Sequence, residues 1–332
     1  MPLKLTTYYR GKDIPDLPGK NTFHSKELFL IYEATPGYIP LLIVATEDDK
    51  PVARLLAAIR KTRKWLPSSL TKQCVVYGSG ELLFEPSHLN KEKEEEIFGE
   101  ILEHLTQEAS RTCLLIEFRN LENSMFGYRF FRSNGYFPVN WLRVRNSLHS
   151  MKKVEDRFSP SRIRQVKKGL HNGAIVKEAH TVEEIKEFSH MLHKIYSSRI
   201  RRYFPNKDFF SHMHNLLIKG KQGKIFIVKY KEKIIGGAVC IYSEDNAYLW
   251  FSGGMRKTYA LQYPGILAVW KALEDAHERG ISHMEFMDVG LPFRKHGYRD
   301  FVLRFGGKQS STRRWFRVNW DWLNKLLVKF YV

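Results

Sequence analysis

Residues 288–308 read DVGLPFRKHGYRDFVLRFGGK, a span that packs Arg294, Lys295, His296, Tyr298, Arg299 and Arg304 ahead of two glycines. Asp288 brings a carboxylate that can orient an amine or take its proton, and it equally suits a cap for the next turn. His296 has an ordinary pKa close to neutral, which fits a general base and a surface histidine alike. Tyr298 can donate a proton to a leaving group. Arg294 and Lys295 can hold an anion. A second basic stretch, Arg162, Arg164, Lys167 and Lys168, lies on a helix expected to begin after Pro160. Arg164 and Lys168 share a face at i,i+4, whereas Arg162 and Arg164 do not. No acid stands between Arg157 and Lys177. Guanidinium forks match phosphate, so Arg162, Arg164 and Lys168 are candidates for acceptor-phosphate binding, with a solvated surface as the alternative. Residues 197–210, SSRIRRYFPNKDFF, add Arg199, Arg201 and Arg202 beside aromatics and read as a lid over an acceptor.

Composition narrows the partner. The 332 residues carry a net charge of +19, with 20 Lys and Arg against 18 Asp and Glu in residues 1–150, and 34 against 17 in residues 151–332. The second half therefore points to an anionic partner: nucleic acid, anionic lipid headgroups or a phosphorylated small molecule. A hydrophobic fraction of 43% supplies real cores, and a chain of this length is expected to hold two domains. Cys74, Cys113 and Cys240 lie far apart in apolar runs and read as core residues. His190, His193, His212 and His214 lack an acidic or cysteine companion at ligand spacing, so no metal site is expected. With no signal-peptide pattern and no apolar run near the roughly 18 residues that span a bilayer, a cytosolic location is expected.

The elements that must position these residues occur twice. The stretch YIPLLIVATEDDKPVARLLAAIR reads as a strand, a turn at Asp48-Asp49-Lys50 and a strand. GKIFIVKYKEKIIGGAVCIYSEDNAYLW reads as three strands with turns at Lys231-Glu232-Lys233 and Glu244-Asp245-Asn246. A helix precedes each meander, capped by Ser25 in the first and by Thr181 with Glu184 as a capping box in the second. A further helix and strand follow each: NKEKEEEIFGEILEHLTQEASR with TCLLIEF, and YPGILAVWKALEDAHERG with ISHMEFMD. Residues 113–118 then lie over 283–288, and FGYRFF at 126–131 lies over HGYRDF at 296–301, both at an offset of 170. The chain is read as two copies of one α/β unit, 1–148 and 149–332. The Gly-Tyr-Arg-x-Phe frame is read as shared scaffold. Asp288, Arg294, Lys295, His296 and Arg304 stand where the first copy has Phe118, Ser124, Met125, Phe126 and Asn134.

Helix, antiparallel strands, helix, strand, helix, glycine turn and strand in this order resemble the Gcn5-related N-acetyltransferase (GNAT) unit. YRFFRSNGYFPV is similar to the ending typical of that superfamily. Two units in one chain resemble the Fem-type aminoacyltransferases, which extend peptidoglycan bridge peptides, and their tandem-GNAT relatives. SPSRIRQVKKGLHNGAIVKEA, YALQYPGILAVWKALEDAHERGISHMEFMDVG and YRDFVLRFGG carry that likeness in the second half. The implied fold is α/β (α+β), with a mixed, mostly antiparallel sheet flanked by helices in each unit. Two features depart from the Fem pattern. The lysine that follows phenylalanine there is Val302 here, so its role falls to a neighbour such as Arg304 or is missing. The long helical hairpin of many bridge-forming members is absent.

The resemblance implies an acyltransferase. It would move an acyl group from acyl-CoA, or an aminoacyl group from aminoacyl-tRNA, to the amine of an anionic small-molecule or lipid-linked acceptor between the units. The second unit would be active, with Asp288, His296, Tyr298 and Arg304 at its chemistry. A GNAT pyrophosphate loop sits at a helix N-terminus, where N–H groups and the helix dipole favour an anion. The matching stretch is SGGMRKTYALQYPG, so Gly253, Gly254, Arg256 and Lys257 are the cofactor-binding candidates, although their spacing differs from (Arg/Gln)-x-x-Gly-x-(Gly/Ala). The rival reading is a non-catalytic pair that binds RNA or an anionic surface. The tail STRRWFRVNWDWLNKLLVKFYV reads as a closing strand and helix packed on the first unit, or as an amphipathic end lying on a membrane.

Overall fold

The computed structural model describes residues 3–61, 67, 71–83, 91–121, 123–149, 152–196 and 204–331. The chain divides into two units: Met1–Trp141 with Ser311–Val332, and Leu142–Ser310.

The first unit contains strands β1 (Lys4–Tyr8), β2 (Tyr38–Glu47), β3 (Lys50–Lys61), β4 (Lys72–Tyr77), the short β5 (Glu81–Leu82) and β6 (Leu115–Arg119). Its helices include α1 (Lys26–Ala34), α2 (Lys91–Ser110) and α3 (Tyr128–Ser133). Ser25 caps α1 by accepting the Leu28 N–H at 3.1 Å, and Leu28, Phe29, Ile31 and Tyr32 form its buried face. The β2–β3 hairpin turns through Asp48 and Asp49, both left-handed at φ 51° and 60°, as a two-residue turn matched to strand twist requires. Strands β1 to β4 pair antiparallel, and β4 pairs parallel with β6.

His24 lies beneath this sheet and is fully buried; its Nδ1 accepts the Leu56 N–H at 3.0 Å. Burial, with the Arg54 guanidinium nearby, pushes its pKa down to about 3. An unfolded histidine titrates near 6.5, so stability present above that pH is lost as pH falls toward the folded value. Urea unfolding of the full chain at pH 7 and pH 5 is expected to differ by about 2 kcal/mol from this group, and His24→Gln should shrink that difference.

The second unit contains α4 (Pro160–His171), β8 (Ala174–Glu178), α5 (Val182–Ile195), α6 (Lys207–Met213), β9 (Gly223–Tyr230), β10 (Lys233–Ser243) and β11 (Asn246–Gly254). Then come α7 (Pro264–Glu278), β12 (His283–Phe286) and α8 (Gly297–Leu303). Thr181 accepts the Glu184 N–H at 3.2 Å, and Glu184 reaches back to the His180 N–H at 3.1 Å. Gly280, at φ 73°, ends α7, where the Ile281 N–H returns to the Ala276 carbonyl. Strands β8 to β11 pair antiparallel and β11 pairs parallel with β12, repeating the order of the first unit.

The closing strands are exchanged relative to sequence order. The strand β7 (Phe137–Ser147) follows α3, yet its Val144–Ser147 end pairs with β12 in the second unit. The strand β13 (Lys308–Val318) follows α8, yet Arg314–Val318 pairs with β6 in the first unit. The division 1–148 and 149–332 therefore differs from the observed one, because residues 311–332 pack with the first unit. Trp315 shows the reason: it is fully buried in the first core, stacked on Phe131 at 4.6 Å. Each unit has its own core, and Cys74, Cys113 and Cys240 are buried, unpaired thiols.

Candidate active site

The site begins with a break in strand pairing. In β11, Phe251 faces Val239 and Leu249 faces Cys240, so Trp250 is an extra, bulged residue. The parallel pairing of β11 with β12 stops at Leu249 and Phe286. Beyond that point β11 runs on to Gly254 against β10, while the chain after β12 turns away through Asp288 and Gly290, both left-handed at φ 60° and 86°. A notch opens between two formerly parallel strands.

Tyrosine hydroxyls converge on it. Tyr196, just past α5, donates to the Ser252 carbonyl at 2.7 Å, and Phe204 packs on its ring at 4.9 Å. Tyr298, in the first turn of α8, hydrogen-bonds with Ser252. Burial pushes the Tyr196 hydroxyl up to about 12 and Tyr298 well above its usual value, and the Asp288 carboxylate adds to both shifts. Both phenols are therefore neutral proton donors at physiological pH. Asp288 is exposed at the notch and lies within electrostatic reach of Tyr196, Tyr298 and His296.

His296 packs its ring over Gly290, where an added Cβ would sit 2.7 Å from the imidazole. Its Nδ1 is buried without a hydrogen-bond partner among the described residues. Burial, then the Arg299 charge, lowers its pKa, against a smaller opposing pull from Asp288. The imidazole is neutral at pH 7. Arg299 donates to the carbonyls of Leu291 at 2.8 Å and Arg294 at 2.6 Å, so its guanidinium shapes the loop. That loop leaves the Arg294 and Lys295 side chains exposed beside an exposed Phe293.

Residues 161–295 match a family described as an acetyltransferase (GNAT) domain. Among solved structures, FemX aligns over 95% of this chain and 95% of its own at 12% identity and a TM-score of 0.62. A tandem GNAT protein from the clavulanic acid biosynthesis pathway aligns over 96% and 99%, at 12% identity and a TM-score of 0.57. The chain has a tandem GNAT fold. L-PGS from Bacillus licheniformis shares it over 96% and 99%, at 12% identity and a TM-score of 0.52. None of the curated proteins matches the chain in sequence. The expected Fem-type, two-unit α/β architecture is the observed one.

Within the second GNAT unit, Asp288, His296 and Tyr298 come together, and Arg304 is exposed close enough to Arg162 to lower its pKa. Arg164 and Lys168 are exposed on α4, with no side-chain partner among the described residues. Arg162 is corrected to a structural residue. It is 3% exposed, donates to the Phe301 carbonyl at 2.9 Å and lies over the Phe301 and Phe305 rings at 4.7 and 4.6 Å. Arg201 lies outside the described residues. Gly253 and Gly254 serve close packing: a Cβ would meet Ile195 at 2.4 Å in the first case and the Gly265 nitrogen at 2.4 Å in the second. Arg256 and Lys257 are exposed in the turn before α7.

Tyr196 and Ser252 carry no motif in the sequence. The strand pattern AYLWFS marks Ser252 only as the last side chain before a glycine pair, and Tyr196 only as an aromatic at a helix end. Among the described residues no group of three or more His, Cys, Asp or Glu could hold a metal, and no helix is long and apolar enough to cross a membrane.

Proposed function

We propose that the second unit transfers an acyl or aminoacyl group to the amine of an anionic acceptor. The observation that carries this reading is an exposed carboxylate, Asp288, beside two neutral, partly buried phenols where β11 parts from β12. Past Leu249 the β11 edge no longer pairs with β12, and its backbone groups, apart from the Ser252 carbonyl that Tyr196 holds, suit an extended, amide-bearing arm such as pantetheine. The first turn of α7, with Arg256 and Lys257 near it, suits the donor's phosphates, as helix N-termini and cations suit anions.

In this reading Asp288 orients the incoming ammonium and takes its proton. The amine nitrogen forms a bond to the acyl carbon, and the bond from that carbon to the leaving sulfur or oxygen breaks. Tyr298 gives its proton to the leaving atom and, as the amide forms, takes up the second proton that the nitrogen sheds. His296 holds the Gly290 turn in place. Arg164, Lys168, Arg294, Lys295 and Arg304 supply positive charge for the acceptor's phosphate or carboxylate.

Labelled acyl-CoA and aminoacyl-tRNA, each offered with a panel of amine acceptors, test the reaction. Transfer or saturable donor binding in one panel is the expected result. Neither in either panel, together with RNA binding that falls steeply with salt, would replace catalysis by a binding role.

A further inference from the structure

We propose that the last helix, α9 (Asp321–Phe330), docks the protein on an anionic lipid surface. Its inner side is fixed to the first unit. Asn324 accepts the Val318 N–H at 3.0 Å and donates to the Gly135 carbonyl at 2.8 Å. Tyr331 stacks on Phe137 at 5.3 Å. The outer side is apolar instead of polar. Trp322, Leu326 and Phe330 are 68%, 46% and 77% exposed, and their i, i+4, i+8 spacing aligns them in one stripe. Trp320 and Tyr331, 44% and 49% exposed, flank the helix at its two ends. The exposed Lys325 and Lys329 form the neighbouring stripe.

An isolated exposed leucine needs no partner, but three large apolar side chains in line on a rigid helix do. The chemistry selects among partners. Tryptophan and tyrosine favour the membrane–water interface, and flanking lysines add attraction to anionic headgroups. Residues 311–332 hold five basic side chains against one acid, Asp321. A second copy of the chain fits worse, because a two-fold contact through this stripe would bring lysines against the same lysines. A free helix would lose conformational freedom on binding, whereas α9 is already held, so little ordering cost opposes docking.

The inference is independent of the transfer reaction, because it is read without a donor. The full chain is sedimented with vesicles of phosphatidylcholine alone and of phosphatidylcholine mixed with phosphatidylglycerol. Binding to the mixed vesicles, weakened by salt, is expected, with little binding to phosphatidylcholine alone. Combining Trp322→Glu with Phe330→Glu should reduce binding at least about tenfold. Lys325→Gln and Lys329→Gln should each cost about fivefold. All four side chains are exposed, so circular dichroism should be unchanged. Equal binding by the double glutamate variant, or no binding of the native chain to the mixed vesicles, would overturn the proposal. So would a native dimer that the glutamates split, if neither form binds vesicles.

Discussion

Replacing Asp288 with Asn is expected to lower kcat for amine acylation by about 10²- to 10⁴-fold while leaving the fold intact. The substitution keeps shape and removes charge. It also suits the backbone: residue 288 sits at φ 60°, a region asparagine tolerates nearly as well as aspartate and alanine does not. An amide can neither accept the amine proton nor balance an incoming ammonium. His296 should not compensate, because its pKa is lowered and its ring is committed to the Gly290 turn. His296→Gln is therefore expected to cost less than Asp288→Asn. Stopped assays of both variants across pH 6–9, alongside thermal melts, check the pair. A near-native rate in Asp288→Asn with collapse in His296→Gln would move the base to the imidazole.

Local rules made the scaffold legible. Ser25 and Thr181 announce helix starts, Asp48-Asp49 a hairpin turn and Gly280 a helix end, and each acts through backbone geometry within a few residues. The repeat was legible for the same reason. Arg299 is fixed by carbonyls of its own loop, whereas its counterpart Arg129 is 60% exposed near Glu96, so the frame holds its arginine differently in the two copies. Tyr128 and Tyr298 occupy equal places in that frame and differ in surroundings. Tyr128 packs on Trp315 at 5.3 Å, whereas Tyr298 meets Ser252 and the Asp288 charge. The scaffold reading of this tyrosine thus holds for the first copy, and the second adds a polar partner.

What the sequence hid depends on contacts far along the chain. Arg162 looks like its basic neighbours until Phe301 and Phe305 close over it. The space a Cβ would need at Gly253 and Gly254 is taken by Ile195 and Gly265, a packing demand that neither glycine reveals in the sequence. Ser252 and Tyr196 are joined only because α5 returns across β11, and nothing in either local stretch encodes that return.

The exchanged closing strand carries the largest stability prediction. Trp315→Ala should destabilise the protein by about 3–5 kcal/mol, the range for deleting a large buried ring. Trp315 is fully buried, lies nearly parallel to Phe131 at an interplanar angle of 7°, and meets Tyr128 edge-on. Opposite it in the sheet stands Phe118, itself 1% exposed, so the ring plugs the core from β13. Its Nε1 has no hydrogen-bond partner among the described residues, so Trp315→Phe gives up area and also removes a buried orphan donor. The phenylalanine variant should therefore lose much less than the alanine variant. The location of the damage tests the exchange itself. Hydrogen exchange on Trp315→Ala should speed the amides of Ile116 and Phe118 in the first unit far more than those of Ile225 and Val228 in the second. If the tail closed its own copy instead, the loss of protection would fall on β12, and the 170-residue repeat would map directly onto two contiguous units.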